Sequence, residues 1–179
     1  MRKQRNSEKR YILIFNATTL IVLRELRSIE LIDRIREHGI AKLFIPQSVR
    51  EEFVRAGKHI DIQNDDIPVD YIDMGELLLD IPQSLGEGER QAIAIAYAIT
   101  RSHNIEETVV VVTDDRRARS TCTRIGLKVI GTLGLIELAK KHGVITKDEA
   151  LRLLNEIPST SLYITLELLA KARTKIEQQ

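Results

Sequence analysis

Acidic side chains follow several of the most apolar stretches of this chain. Asp114 and Asp115 come directly after the run Val109 to Thr113, Glu51 and Glu52 lie shortly after Leu43 to Pro46, and Glu87 and Glu89 flank Gly88 at the head of an Ala- and Ile-rich stretch. A buried β-branched run that ends in a carboxylate delivers that carboxylate to the C-terminal edge of a sheet, where open α/β folds bind their ligands. Carboxylates gathered at one place repel one another unless a cation neutralises them. Oxygen donors without imidazole or thiolate suit a hard divalent ion such as Mg²⁺ or Mn²⁺, which activates water for attack on a phosphodiester. The first apolar run, Tyr11 to Phe15, ends in the neutral Asn16, where an Asp would complete the pattern.

Each acid also has a local explanation. Asp114 is a good helix cap, Glu87 and Glu89 complement a helix macrodipole, and Glu51 with Glu52 makes a solvated face. Taken singly, the structural reading is preferred for every one of them. Taken jointly, three acidic groups at one sheet edge point to a metal site. Competing chemistries fail on residue type. The four histidines (His38, His59, His103, His142) form no zinc-like spacing, and neither a Gly-x-Ser-x-Gly elbow nor a phosphate-cradling Gly-rich loop occurs. Asn16 cannot act as a nucleophile at phosphorus, which argues against a phosphatase or phospho-accepting receiver domain. Cys122 reads as a packed thiol.

The elements that must carry these residues alternate. Strands are expected at 11–15, 42–45, 109–113 and 127–130, with an edge strand at 67–72. Helical spacing runs from Thr18 to His38 as two short helices meeting near Ser28 and stopped by Gly39. Further helices are expected from Pro46 to about Ala56, over 87–100 and over 114–125. After Gly131 the chain reads as wholly helical: 133–141, a helix capped by Thr146 and Glu149, a break at Pro158, and a last amphipathic helix over 162–176. Strand–helix alternation implies parallel βαβ units with both sheet faces covered. The result is one α/β domain with a mainly parallel sheet of four or five strands. Residues 1–10 read as a flexible basic N-terminus, 11–145 as the domain proper and 146–179 as a C-terminal helical extension.

Bulk properties bound the reading. The chain has 179 residues, 43% apolar and 30% charged, with a net charge of +1 and a single cysteine. This is the make-up of a globular protein without a disulfide framework, and a cytoplasmic location without membrane association is expected. Arg116, Arg117, Arg119 and Arg124 share one predicted helix. They read equally as a solvated face or as phosphate contacts beside the acidic residues.

Five segments together resemble the PIN-domain nucleases, especially the subgroup related to the toxin halves of VapBC-type toxin–antitoxin modules. They are Ile12 to Ile21 (ILIFNATTLI), Phe44 to Phe53 (FIPQSVREEF), Leu85 to Ala96 (LGEGERQAIAIA), Val112 to Arg119 (VTDDRRAR) and Ile130 to Ile145 (IGTLGLIELAKKHGVI), covering about residues 11–157. The resemblance implies a three-layer α/β/α PIN-like fold and a Mg²⁺- or Mn²⁺-dependent endoribonuclease. Its catalytic acids would be Glu52, Glu89, Asp114 and Asp115, and its metal ligands Asn16, Glu52, Glu89 and Asp114. Thr18 and Thr113 would hold the site, Arg116 and Arg119 would bind phosphate, and RNA, an antitoxin protein and a homodimeric copy would be the partners. Asn16 departs from the family's Asp-x-Ser/Thr pattern, which leaves two outcomes open: a weakened nuclease, or a fold retained for binding RNA or protein. The intact remaining acids favour the enzyme.

Overall fold

The computed structural model describes residues 10–67, 81–101 and 105–178. Strands β1 (Tyr11–Phe15), β2 (Ala41–Phe44), β3 (Thr108–Val112) and β4 (Lys128–Ile130) form one sheet, all parallel, in the order β2-β1-β3-β4. Helices α1 (Ala17–Glu25) and α2 (Leu31–Glu37) connect β1 to β2, and α3 (Gln47–Arg55) follows β2. Helix α4 (Glu87–Arg101) precedes β3, and α5 (Arg116–Arg124) leads to β4. Helices α6 (Thr132–Lys141), α7 (Lys147–Glu156) and α8 (Leu166–Gln178) complete the chain, with a short 3-10 turn at Ile157–Ser159.

Side chains alternate across a strand, so each strand feeds two cores. Leu13, Phe15, Val110 and Val112 pack with Leu20, Leu23, Ile35, Val49, Phe53 and Leu135 on one face. Ile12, Ile14, Val109 and Val111 pack with Ala92, Ile93, Ala96, Ala118 and Cys122 on the other. That is three layers, with α4 and α5 covering one face. Leu153, Ile157, Ala172 and Ile176 belong to the same core as Leu13 and Phe15, so α7 and α8 are packed into the domain they follow. No helix among the described residues is long and apolar enough to cross a membrane.

Register is what makes the sheet edge useful. Phe15 lies beside Val112 and Val112 beside Ile130, so three neighbouring strands end at one level. The residues that leave them, Asn16, Thr113 to Asp115 and Gly131, are therefore neighbours in space.

Several local boundaries differ from the sequence expectation. The helix expected over 114–125 begins at Arg116, because Asp115 rather than Asp114 caps it: the Asp115 carboxylate accepts the Ala118 amide at 2.7 Å. Pro46 is the residue before α3 rather than its first residue. The last helix begins at Leu166 instead of 162. Thr165 caps it through its side chain, and Ser161 is held by hydrogen bonds from its amide and hydroxyl to Glu25. The edge strand expected over 67–72 falls almost wholly outside the described residues.

The outer edge of β2 is covered by a different segment. Asn64 accepts the Ile45 amide at 2.7 Å and donates to the Ile45 carbonyl at 3.0 Å, while Asp65 takes the Leu43 amide at 2.7 Å and gives its own amide to the Leu43 carbonyl at 2.9 Å. Arg50 clamps Asn64 from α3 at 2.9 Å. Two polar residues that read as a turn thus serve as a side-chain mimic of a fifth strand. Replacing Asn64 by Ala leaves the Ile45 backbone without partners and is expected to cost about 1–3 kcal/mol. Urea unfolding of the variant, with an unchanged m-value, is the check.

Candidate functional site

Asn16 is the hinge between β1 and α1. Its own amide still follows the sheet, bonding the Val112 carbonyl at 2.9 Å, while its side-chain oxygen accepts the Ala17 amide at 2.6 Å as the cap of α1. The remaining NH₂ group donates to Thr113 Oγ1 at 3.0 Å and toward the Glu89 carboxylate. Asn16 is only 2% exposed, so these partners fix the orientation of its amide: the oxygen must face the Ala17 N–H. Thr18 Oγ1 lies 3.3 Å from Thr113 Oγ1 and accepts the Asp114 amide at 3.1 Å.

Asp114 and Asp115, though adjacent, do different work. Asp114 Oδ1 accepts the Thr132 amide at 2.8 Å, and Oδ2 accepts the hydroxyls of Thr19 at 2.9 Å and Thr132 at 2.5 Å. Its charge therefore sits at the N-terminus of α6, where the helix dipole favours an anion. The approach is permitted by Gly131, since a β-carbon there would lie 2.3 Å from Asp114 Oδ1 and 3.1 Å from Arg119 Nη1. Gly134 is constrained less tightly, a β-carbon there standing 2.9 Å from Ile130 Cβ. Asp115, besides capping α5, faces Glu89 closely enough for the two charges to repel.

Glu52 and Glu89 meet where α3 crosses the start of α4. Gly88 makes the crossing tight: a β-carbon would stand 2.9 Å from both Glu52 Oε1 and Val49 Cγ2. Glu52 Oε1 instead accepts the Gly88 amide at 3.3 Å, and Ser48 ties α3 to Gln91 through its amide at 3.0 Å and hydroxyl at 2.6 Å. Glu89 Oε2 accepts the Gly86 amide at 2.8 Å. Burial pushes the Glu89 carboxyl above its ordinary value, and the negative charges of Asp115 and Glu52 push the same way. The Gly86 amide and the Asn16 side chain oppose them. Glu51 and Glu87, the neighbours passed over in the family comparison of the sequence, are both exposed.

The structure thus brings Asn16, Glu52, Glu89 and Asp115 into one electrostatic neighbourhood. It places Asp114 and the two threonines at the same edge, with Asp114's carboxylate engaged by Thr19 and Thr132. Arg119 is half-buried and donates to the Thr113 carbonyl at 3.2 Å, whereas Arg116 and Arg117 are exposed on the first turn of α5. Thr19, Thr132, Gly88 and Gly131 are site-building residues that the sequence reading did not single out. The Gly-Thr pair after β4 was the available signal. In donor type the carboxylates suit Mg²⁺ or Mn²⁺. In geometry they are not drawn together: among the described residues no three His, Cys, Asp or Glu side chains stand close enough to enclose a cation.

A family model described as a PIN domain matches residues 12–178, nearly the whole chain. No curated protein and no solved structure matches it.

Two outcomes follow from this geometry. Gly131→Ala drives a methyl group into the Asp114 clamp and is expected to destabilise the fold by on the order of 2 kcal/mol, read as a lowered melting temperature. The second concerns Glu89. Its folded-state value lies above the unfolded one, so the native state holds the proton more tightly, and the associated stability is lost as pH rises through the interval above the reference value of 4.5. Glu89→Gln should be more stable than the parent near neutral pH, with the difference shrinking as pH falls toward 4.5. Thermal melts of both proteins across that range decide it, and a constant difference contradicts the assignment.

Proposed function

The chain belongs to the PIN-domain family, and from that premise we propose that it is a divalent-cation-assisted endoribonuclease weakened at Asn16. The observation that carries the reading is Glu89, which faces the charges of both Asp115 and Glu52 and the side chain of Asn16, each from a separate element. Such crowding costs stability, and a fold that accepts the cost at the C-terminal edge of its sheet has the hallmark of a working site. Mg²⁺ or Mn²⁺ would be drawn to the negative charge around Glu89, to which Asp115 and Glu52 contribute, and when bound would supply charge neutralisation for a phosphodiester and acidify water. Asp114, engaged by Thr19, Thr132 and the α6 amide, orients the β3–α5 turn that carries Asp115.

The chain's own groups account for the rest of a hydrolysis. Glu89, its carboxylate fixed by the Gly86 amide at 2.8 Å, would accept the proton that water loses as its oxygen bonds to phosphorus. The bond from phosphorus to the leaving sugar oxygen breaks, and that oxygen takes a proton from solvent. Arg116, exposed beside Asp115, and Arg119, anchored on Thr113, are placed to contact phosphate oxygens without reading sequence. An antitoxin-type partner and a homodimer belong to the same reading. What supports them is a groove of about 780 Å³ between β4, α6 and α8, reaching Asp114 and Arg119, with Tyr163 and Leu168 exposed along it.

The second reading, a PIN-like module that binds RNA without cutting it, is favoured by the amide orientation at Asn16. Gel assays of the purified chain with mixed RNA separate the two. The nuclease reading expects slow Mn²⁺-dependent cleavage, reduced by on the order of 100-fold in Glu89→Gln. Cleavage that survives this change belongs to a contaminant. In EDTA, Arg116→Gln should weaken RNA binding across sequences and lower the salt slope by about 1. Binding with that signature but no cleavage selects the second reading.

A further inference from the structure

The hydrogen bonds around Thr113 have only one consistent direction. A backbone amide and an Asn side-chain nitrogen donate and cannot accept. Thr113 Oγ1 receives the Asn16 amide nitrogen at 3.0 Å and the Asp115 amide at 3.1 Å, which uses both of its lone pairs. Its own hydrogen must therefore go elsewhere, and Thr18 Oγ1 at 3.3 Å is the acceptor within reach. Thr18 Oγ1 then takes that hydrogen together with the Asp114 amide at 3.1 Å, so its lone pairs are also used. The hydrogen of Thr18 points away from the chain of bonds, and among the described residues it has no acceptor. Thr113 is fully buried whereas Thr18 is half-buried, so the sequence of donors runs from the interior outward.

A carboxylate at position 16 would reverse this. It would still cap Ala17 with one oxygen, but its second oxygen would need a donor where Asn16 now supplies one. Thr113 would turn its hydrogen to residue 16, Thr18 would turn its own inward to Thr113, and a Thr18 lone pair would face out. We infer that Asn16 sets the polarity of the Asn16–Thr113–Thr18 relay, making Thr18 a hydroxyl donor for an anionic phosphodiester oxygen at the corner where a carboxylate would present oxygens to a cation. Asn16 is thereby a positioning residue and Thr18 a specificity-determining one. The inference rests on the reading that RNA binds at this sheet edge.

The test uses two probes, a short single-stranded RNA in EDTA and Mn²⁺ alone. They are applied to the parent, Thr18→Val, Thr18→Ser, Asn16→Asp and the Asn16→Asp/Thr18→Val double variant. In the parent, Thr18→Val should weaken RNA binding by roughly 10-fold, the scale of one hydrogen bond to a charged group, and Thr18→Ser should restore it. In the Asn16→Asp background, Thr18→Val should leave RNA binding unchanged. Loss of the acceptor for the Asp114 amide is common to both backgrounds and cancels in the comparison. Asn16→Asp alone should bind Mn²⁺ at least about 10-fold tighter than the parent, since it regains a charge and an oxygen donor. Equal effects of Thr18→Val in the two backgrounds, or equal Mn²⁺ affinity of parent and Asn16→Asp, overturn the inference. Absence of RNA binding by every protein overturns the functional reading and the inference with it, whereas RNA binding with equal effects of Thr18→Val in the two backgrounds overturns the inference alone.

Discussion

The carboxylate of Asp114 joins three elements that would otherwise share only a sheet edge. It accepts from Thr19 on α1 and from the amide and hydroxyl of Thr132 on α6, while its own backbone carries β3 into the turn before α5. A charged acceptor with three donors, set against a helix N-terminus, is among the stronger polar contacts available to a protein surface. The turn between Val112 and Arg116 is held further by Asp115 capping α5 and by Thr18 accepting the Asp114 amide. Gly131 exists in this context as the absence of a side chain: any β-carbon would occupy the volume that the Asp114 oxygen uses.

With one acid committed to architecture, the others are left to manage their mutual repulsion. Glu89 is the focus, being partly buried and facing both Asp115 and Glu52. Two neutral donors relieve it, the Gly86 amide from its own helix start and the Asn16 side chain from β1. An Asp at position 16 would remove one of these donors and add a fourth negative charge to the neighbourhood. The fold would then depend much more heavily on a cation. Asn16 therefore eases a crowding that an Asp at this position would deepen.

The parallel sheet, the order of its elements and the cap of α7 were legible in the sequence because each rests on local signals of burial period, Gly stops and capping residues. The run Val109 to Val112 could scarcely be anything but a central strand. The choice of Glu52 and Glu89 over Glu51 and Glu87 came from the family resemblance alone; the chosen pair is half-buried and the other pair exposed. What escaped was whatever depends on contacts between distant segments. Nothing in Asn64-Asp65 signals that its side chains would run along β2, and propensity alone reads it as a turn. The exchange of duties between Asp114 and Asp115 escaped for the same reason. Both are good caps by type, and only the position of Thr132, on an element that follows β4, decides which is free to cap α5.

That exchange has a consequence for how an acidic site can change within one fold. The residue that holds the edge together and the residues that confront one another across it are separate side chains, so the second set can be altered without dismantling the first. Asn16 illustrates this. Its oxygen keeps the cap of α1, its nitrogen keeps the contact to Thr113, and the Asp114 clamp does not touch it. An amide is nearly isosteric with a carboxylate, so the exchange leaves packing around a residue that is 2% exposed intact while reversing what one of its two polar atoms offers. The altered quantity is the direction of hydrogen bonding at a single buried position, which the half-buried Thr18 carries outward to the rim.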